Sequence, residues 1–231
     1  MLNAVSSKNL PPLVRVWQNP VSVVMGISRR VDDDLFIENI KADEIPIARR
    51  VSGGGTVYHD SGTVSFSFIF PWNLLPPDAA PHKIDSTSID PFLDFVINAL
   101  ALIGLEGRKE RISDLFVGDR KVSGSAQKRV KGAILHHGTL LLDVDIKRME
   151  RYLKIPPERQ GIPHCNFVTS LKNLGKQIQA VDFQNLLLLS LKNLGHEINE
   201  INLHDEHPQF LKRASELASE TYEKKEWILR R

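Results

Sequence analysis

Alternating apolar and polar residues mark the strands of this chain, and the clearest run covers residues 63–70. Phe66, Phe68 and Phe70 lie at every second position there, so they share one face of a half-buried strand. The other predicted strands cover residues 14–17, 21–26, 45–51, 115–117, 120–126 and 133–143. Several are joined by short turns, such as the one at residues 118–119, which indicates antiparallel pairing.

Apolar residues at helical spacing predict helices between these strands. The predicted helices cover residues 32–40, 90–103, 146–153, 183–194 and 208–227. We expect loops at residues 73–89, which are rich in Pro, Asp and Ser, and at residues 156–166. Because no run of βαβ units appears, the pattern predicts an α+β fold with mixed, largely antiparallel sheets flanked by helices.

The length of the chain favours a single domain over residues 1–231, since such a chain buries a sizeable core. Residues 1–12 are mostly polar and end in two prolines, so we expect a mobile lead-in there. This segment lacks the charged and apolar regions of a signal peptide.

Composition and charge narrow the class of protein. A hydrophobic share of 42% with 25% charged residues is ordinary for a soluble globular protein. The net charge of +2, without a polybasic run, gives no argument for nucleic acid. No apolar run is long enough to span a membrane, and the single cysteine suits a reducing compartment. We therefore expect a cytoplasmic protein that binds neither nucleic acid nor membrane.

The most informative stretch is RRVSGGGTVYHD at residues 49–60, in which two arginines lead into three glycines. Glycine allows the backbone to approach a ligand closely, and exposed N–H groups beside arginine side chains suit a phosphate or carboxylate. A flexible hairpin turn is the alternative, because a glycine triplet alone is a weak signal.

A second stretch, GDRKVSGSA at residues 118–126, places Lys121 on a strand that leaves a tight turn. A fixed ammonium group can stabilise a phosphate or a developing oxyanion. The alternative is a solvated lysine on an exposed face. The small residues 123–126 favour the first reading, because they leave space beside the charge.

Two histidines and one cysteine offer further chemistry. His136 and His137 are adjacent on a predicted strand, so they face opposite sides and do not both line one pocket. No Cys/His spacing completes a zinc site, so we expect no metal ligation by these residues. Cys165 follows His164, which is compatible with a reactive thiolate, although a lone cysteine is more commonly a buried, inert thiol.

Taken together, these stretches resemble the lipoate–protein ligase family. The resemblance is carried by residues 49–60, 118–126 and 136–143, with support at residues 23–26 and 167–171. Three motifs in the family's order are far more specific than any one of them. The resemblance covers most of the chain and implies the α+β fold of biotin and lipoate ligase catalytic domains. The family members that this chain resembles are of a compact form, without the extra C-terminal domain that some of these ligases carry.

The resemblance implies a two-step protein lipoylation. Lipoate and ATP, the latter with Mg²⁺, would first give lipoyl-AMP and pyrophosphate. The lipoyl group would then pass to a lysine of an acceptor lipoyl domain, of the 2-oxoacid dehydrogenase E2 or glycine cleavage H protein type. The compact form is also compatible with a separate accessory subunit for the adenylation step.

The family's functional positions carry over to residues of this chain. The adenylate would contact Arg50 and residues 55–58, and the essential lysine would be Lys121, bridging the acyl carbonyl and the phosphate. Candidate walls of a tunnel for the apolar lipoyl tail are Phe66 and Phe68, or Val23, although core packing is the commoner role for such residues. The full ligand-binding set that we expect is Arg50, Ser52, Gly53, Gly54, Gly55, Thr56, Val57, Tyr58, His59, Lys121, Ser123, Gly124, His137 and Gly138.

Two other functions remain open. An octanoyl or lipoyl transferase would take the acyl group from a carrier protein without ATP, and Cys165 is the candidate for its thioester. Residues 111–114 argue against it, since they lack the cysteine that other transferases carry before the lysine motif. A non-enzymatic lipoate-binding or partner-activating module is the third reading, and the intact Lys121 motif argues against that.

Overall fold

The computed structural model describes residues 1–77, 86–159 and 161–230, and its strands form two sheets. The larger sheet has the order β1-β5-β9-β8-β7-β6 and is antiparallel throughout, whereas the smaller has the order β3-β2-β4. The strands are β1 (Leu13–Gln18), β2 (Ser22–Met25), β3 (Ile47–Arg49), β4 (Val57–His59), β5 (Thr63–Pro71), β6 (Gly107–Glu110), β7 (Asp114–Val117), β8 (Arg120–Val130) and β9 (Ala133–Leu141).

Helices cover both sheets, which confirms the predicted α+β class. They are α1 (Leu2–Ser6), α2 (Val31–Asp34), α3 (Ile37–Ala42), α4 (Ser86–Ala101), α5 (Ile146–Tyr152), α6 (His164–Phe167), α7 (Ala180–Asn193), α8 (Leu203–Glu206), α9 (Pro208–Leu217) and α10 (Lys225–Ile228). Short 3₁₀ helices occur at Trp72–Leu74, Pro157–Arg159 and Lys172–Leu174, and a π-helical turn at Ala218–Tyr222. Helix ends carry local signals, such as the capping box formed by Gln179 and Asp182 at the start of α7.

The main core lies between the large sheet and the pair α4 and α7. Phe66 and Phe68 of β5 are fully buried, and Phe68 stacks on Phe92 of α4 with ring centroids 5.6 Å apart. Phe183 of α7 meets Phe66 edge to face. Aromatic pairs of this kind add to the free energy gained by burying their apolar area. The alternating pattern of residues 63–70 is therefore explained by one face that contacts two helices.

The small sheet positions the glycine-rich stretch. Its central strand β2 pairs in parallel with β3 and antiparallel with β4. The glycine loop, which we define as residues 50–56, connects β3 to β4 and so leaves and re-enters the same sheet. Asp60 then fixes the turn into β5, because its carboxylate accepts hydrogen bonds from the backbone N–H of Gly62 and from that of Asp145.

Some elements differ from the sequence expectations. Within residues 1–12, where we expect a mobile lead-in, the structure has α1, and Ala4, Val5 and Leu10 are buried against β5 and β9. The predicted helix at residues 32–40 divides into α2 and α3, since Leu35 leaves the helix to bridge with Leu153.

The loop predicted at residues 73–89 is only partly testable. Residues 78–85 lie outside the described residues, and α4 begins at Ser86, ahead of the predicted start at residue 90. The loop predicted at residues 156–166 contains the Pro157–Arg159 turn and the start of α6. Among the described helices, none is both long enough and apolar enough to cross a membrane.

Candidate active site

The glycine loop is held in shape by the side chain of Arg50. Its guanidinium donates hydrogen bonds to the carbonyls of Gly53 at 2.7 Å and Gly55 at 2.6 Å, and to Val24 of β2 at 3.1 Å. Gly54 has φ +85°, a conformation that side chains with a Cβ rarely adopt. The loop therefore turns around its own arginine, and Gly54 is required at the turn.

Lys121 comes to the same place from the hairpin of β7 and β8. Its ammonium group lies 2.6 Å from the carboxylate of Asp114, which Arg159 also approaches at 3.9 Å. A Cβ on Gly124 would lie 2.9 Å from Nζ of Lys121, so this glycine leaves the space that the amine occupies. The backbone of Lys121 is fixed as well, since its carbonyl accepts a hydrogen bond from Thr169 at 2.9 Å.

The glycine loop and the lysine hairpin line one cavity of about 530 Å³. A Cβ placed on Gly54 would lie 3.5 Å from that of Ala126 in β8, so the two stretches are in direct proximity. Every residue of the expected ligand-binding set lines this cavity except Ser52 and Gly53. Gly53 lies behind it, where its carbonyl accepts from Arg50, and Ser52 supports a histidine of the lining.

That histidine is His137, and its neighbour faces away. Oγ of Ser52 lies 2.6 Å from Nε2 of His137, which lines the cavity. His136 is fully buried on the opposite face, stacked on Phe92 with centroids 4.8 Å apart. The prediction that the two histidines do not share a pocket is confirmed.

Burial keeps the histidines of this region neutral at pH 7. Desolvation, and then the charge of Arg50, lowers the pKa of His137 to about 4, and the same two causes lower that of His59 to about 4. Arg50 itself has a pKa lowered to about 10 by burial and partly restored by Asp34, so it stays charged. The cavity thus presents the cations Arg50 and Lys121 beside neutral imidazoles.

Asp34 is a cavity-lining residue that the sequence did not reveal. Its carboxylate accepts hydrogen bonds from Nε of Arg29, at 2.8 Å and 3.0 Å, and from the hydroxyl of Thr56 in the glycine loop. Asp34 is buried and lines the cavity. In the sequence it was one of three consecutive aspartates that favour a helix N-terminus, and only the contact with Thr56 distinguishes it.

The cavity also extends along the large sheet, past residues that carried no motif. Trp17 and Asn19 line it with His59 and Ser65. Nε1 of Trp17 donates to Asn19 at 3.1 Å, and the Asn19 amide donates to the hydroxyl of Ser65 at 3.1 Å. The candidate tunnel walls Phe66, Phe68 and Val23 are fully buried in the two cores and do not line the cavity, so they have the core-packing role that the sequence favoured. The alternation of Phe66 and Phe68 reflects burial against helices. The sequence alone does not distinguish such burial from a wall that contacts a ligand.

Cys165 is exposed and does not line the cavity. The Glu150 carboxylate beside it raises the pKa of the thiol, which disfavours the thiolate. Its backbone N–H donates to the same carboxylate at 2.9 Å. The cysteine therefore lacks the electropositive surroundings of an activated nucleophile.

No group of three or more His, Cys, Asp or Glu side chains among the described residues could hold a metal ion. The carboxylates that line the cavity are Asp34 and Asp114, and each is paired with a cation. Any metal in this cavity would therefore need oxygen ligands from a bound substrate in addition to these side chains.

Comparisons with known proteins point to one family for this chain. The family model of the lipoyl protein ligase A/B catalytic domain matches residues 1–192. Lipoate–protein ligase 1 of Plasmodium falciparum is 32% identical over 181 residues, which cover 77% of this chain. The chain spans only 40% of the length of that relative.

Two solved structures share the fold. One is a bi-partite lipoate protein ligase of Thermoplasma acidophilum, analysed with its E2 lipoyl domain; it is 24% identical, with a TM-score of 0.81 over 99% of this chain and 89% of its own. The other is lipoate-protein ligase A bound with ATP, 23% identical, with a TM-score of 0.80 over 99% and 91%. Both confirm the predicted fold. Because the family model covers most of its length, the chain belongs to the lipoyl protein ligase A/B catalytic domain family.

Proposed function

We propose that this chain activates lipoate with ATP and transfers the lipoyl group to a lysine of an acceptor lipoyl domain. The observation that carries the proposal is that Lys121 of the large sheet and the glycine loop of the small sheet line one cavity. Acyl adenylation needs a binding site for phosphates and a cation beside the reacting carbonyl. The cavity supplies both, and it continues past Trp17 into space for an acyl tail.

In the first step, a carboxylate oxygen of lipoate attacks the α-phosphorus of ATP. The bond to the β-phosphate breaks, and pyrophosphate leaves with lipoyl-AMP retained. Lys121 and Arg50 offset the negative charge that accumulates where the two anions meet, and the N–H groups of the glycine loop bind phosphate oxygens. The pairing of Lys121 with Asp114 holds the amine in place before substrates enter.

In the second step, the ε-amine of the acceptor lysine attacks the carbonyl carbon of lipoyl-AMP. The carbonyl becomes an oxyanion, which Lys121 stabilises, and AMP leaves as the amide forms and the amine loses a proton. His59 and His137 line the cavity in their neutral form, so they offer hydrogen bonds without adding charge. The buried hydroxyl of Ser123 has no hydrogen-bond partner within the described part of the chain, and a ligand would satisfy it.

Mg²⁺ fits this proposal as a companion of ATP. Protein sites for Mg²⁺ typically combine one or two carboxylates with substrate phosphates and water. Asp34 and Asp114 line the cavity, and either would bind the ion by exchanging its present cation partner, Arg29 or Lys121. The ion would neutralise phosphate charge, while the binding and orientation of lipoate remain with the side chains of the chain itself.

The acceptor and location are proposed from the family. The Thermoplasma acidophilum relative was analysed with an E2 lipoyl domain and is described as bi-partite. We infer an acceptor of the E2 or glycine cleavage H protein type, and a separate accessory subunit as a possible requirement for adenylation. We also propose that residues 1–231 act as one catalytic domain in the cytoplasm, a reducing compartment that suits a single cysteine.

Pyrophosphate release is the test of this function. We expect release that requires both lipoate and ATP, followed by a mass increase of the acceptor domain equal to one lipoyl group. The assay is run with and without candidate partner proteins. Absence of release under all of these conditions would exclude the ligase, and an acyl group on Cys165 in the mass spectrum would favour the transferase instead.

A further inference from the structure

Arg49, the first arginine of the glycine motif, does not line the cavity and is almost completely buried, with 3% of its surface exposed. Its guanidinium group donates hydrogen bonds to backbone carbonyls of the turn that follows β2. Nη1 lies 2.8 Å from the carbonyl of Gly26 and 2.6 Å from that of Arg29. The side chain therefore fixes this turn from within the protein.

The same guanidinium binds the C-terminal segment, which we define as residues 225–230. Nε donates to the carbonyl of Ile228 at 2.8 Å, and Nη2 to that of Arg230 at 3.2 Å. The contact is reciprocal, because the indole N–H of Trp227 donates to the carbonyl of Arg49 at 2.9 Å. Both ends of one residue, its side chain and its carbonyl, thus hold a segment about 180 residues further along the chain.

The turn after β2 supports the glycine loop directly. A Cβ on Gly26 would lie 2.1 Å from the carbonyl oxygen of Gly54, so the two backbones are in contact. The N–H of Ile27 also donates to the carbonyl of Ser52 at 2.9 Å. A continuous set of backbone contacts therefore runs from the C-terminal segment through Arg49 and Gly26 to the loop.

We propose that Arg49 is a positioning residue through which the docked C-terminal segment holds the glycine loop in its ligand-binding shape. The segment lies beyond residues 1–192, so it is outside the part matched by the family model. The effect on nucleotide binding rests on the proposed function, whereas the effect on the loop does not. Because coupling between sites is reciprocal, a nucleotide that binds the loop also stabilises the docked segment.

The first experiment measures amide hydrogen exchange without any ligand. Trp227→Phe removes the indole donor and retains an aromatic ring, and loss of one neutral hydrogen bond corresponds to about two- to tenfold in local opening. We expect exchange across residues 50–56 to accelerate by that factor. Trp72→Phe is the matched control, since its indole also donates to a backbone carbonyl, that of Val130 at 3.1 Å, away from the cavity. Equal exchange of the loop in both variants would overturn the proposal.

The second experiment measures the KM for ATP and the melting temperature together. Trp227→Phe and Arg49→Lys are expected to raise the KM for ATP about two- to tenfold or more relative to Trp72→Phe at comparable melting temperature. ATP is also expected to slow exchange in residues 225–230 of the wild type. If ATP slows hydrogen exchange in the glycine loop but leaves exchange in residues 225–230 unchanged, the proposed coupling is overturned. A wild type that binds no nucleotide overturns the proposed function, while exchange in the free protein still decides the positioning role.

Discussion

Nζ of Lys121 lies 2.6 Å from Oδ1 of Asp114, and the pair is largely shielded from solvent at the wall of the cavity. The carboxylate belongs to β7 and the amine to β8, where Asp114 pairs with Gly124 and the side chain of Lys121 reaches back beside that glycine. The pair orients the one lysine that the proposed chemistry needs. Replacing Lys121 is the most direct test of that chemistry.

Lys121→Ala is expected to reduce lipoyl-AMP formation by about 10²–10³, because it removes a fixed cation from the reacting carbonyl and phosphate. The measurement is pyrophosphate release at saturating ATP and lipoate. Lys172→Ala is the control, since Lys172 forms an ion pair of similar length, 2.7 Å to Asp143, on an exposed surface. Similar rates for the two variants would contradict the role given to Lys121.

Two glycine substitutions separate the site from the scaffold. Gly124→Ala places a methyl group 2.9 Å from Nζ of Lys121, which is the far end of a flexible side chain, so the amine is displaced while the fold survives. We expect turnover to fall at least tenfold, which is on the order of one lost charge-assisted hydrogen bond. The melting temperature is expected to change little.

Gly138→Ala is expected to lower the stability of the fold. Its methyl group would lie 2.5 Å from Cζ of Phe66 and 2.9 Å from the carbonyl of Gly124, both inside the sheet. Overpacking of this kind costs about 1–3 kcal/mol, so we expect a melting temperature lower by roughly 2–12 °C. Thermal unfolding followed by circular dichroism distinguishes the two variants, and an unchanged melting temperature for Gly138→Ala would show that the sheet relaxes.

Cys165→Ser is expected to retain most of the activity, because the thiol is exposed and outside the cavity. The neighbouring Glu150 carboxylate raises the pKa of the thiol, so the nucleophilic thiolate is disfavoured at pH 7. Steady-state transfer to an acceptor domain is the measurement. A loss comparable to that of Lys121→Ala would restore the transferase hypothesis.

Buried histidines predict how stability depends on pH. Burial lowers the pKa of His136 to about 3, and burial followed by the charge of Arg50 lowers that of His59 to about 4, from an ordinary value of 6.5. The unfolded chain therefore binds more protons between these values, and the free energy of unfolding falls as the pH falls from about 6.5 towards 4. Each histidine contributes on the order of 3–5 kcal/mol at most.

Urea unfolding at pH 7 and pH 5 measures this effect. His136→Phe is expected to make the fall shallower, since it removes one titrating group and keeps an aromatic ring against Phe92. His204→Gln, on the exposed face of α8, serves as the control. An equal pH dependence in wild type and His136→Phe would contradict the assignment.

Local patterns predicted much of the fold. The alternation at residues 63–70 marked β5, and the turn at residues 118–119 marked the hairpin that presents Lys121, because strand periodicity and turn chemistry depend on near neighbours. The helix α1 within residues 1–12 had no such local pattern. A short helix with two or three apolar side chains is stabilised by its docking against β5 and β9, which no local pattern records.

By itself, the sequence determined the class of fold, the family, and the two motifs that meet at the cavity. All of these depend on residue types and on their spacing along the chain. Only the tertiary structure decided which side chains complete the site. Asp34 pairs with Thr56 across 22 positions, and Arg49 binds Ile228 across 179. The packing of distant segments determines which residues form such contacts. The sequence contains many residues of the same type that could form them equally well. The two arginines of one motif look equivalent as letters, yet Arg50 faces the cavity and Arg49 binds the C-terminal segment.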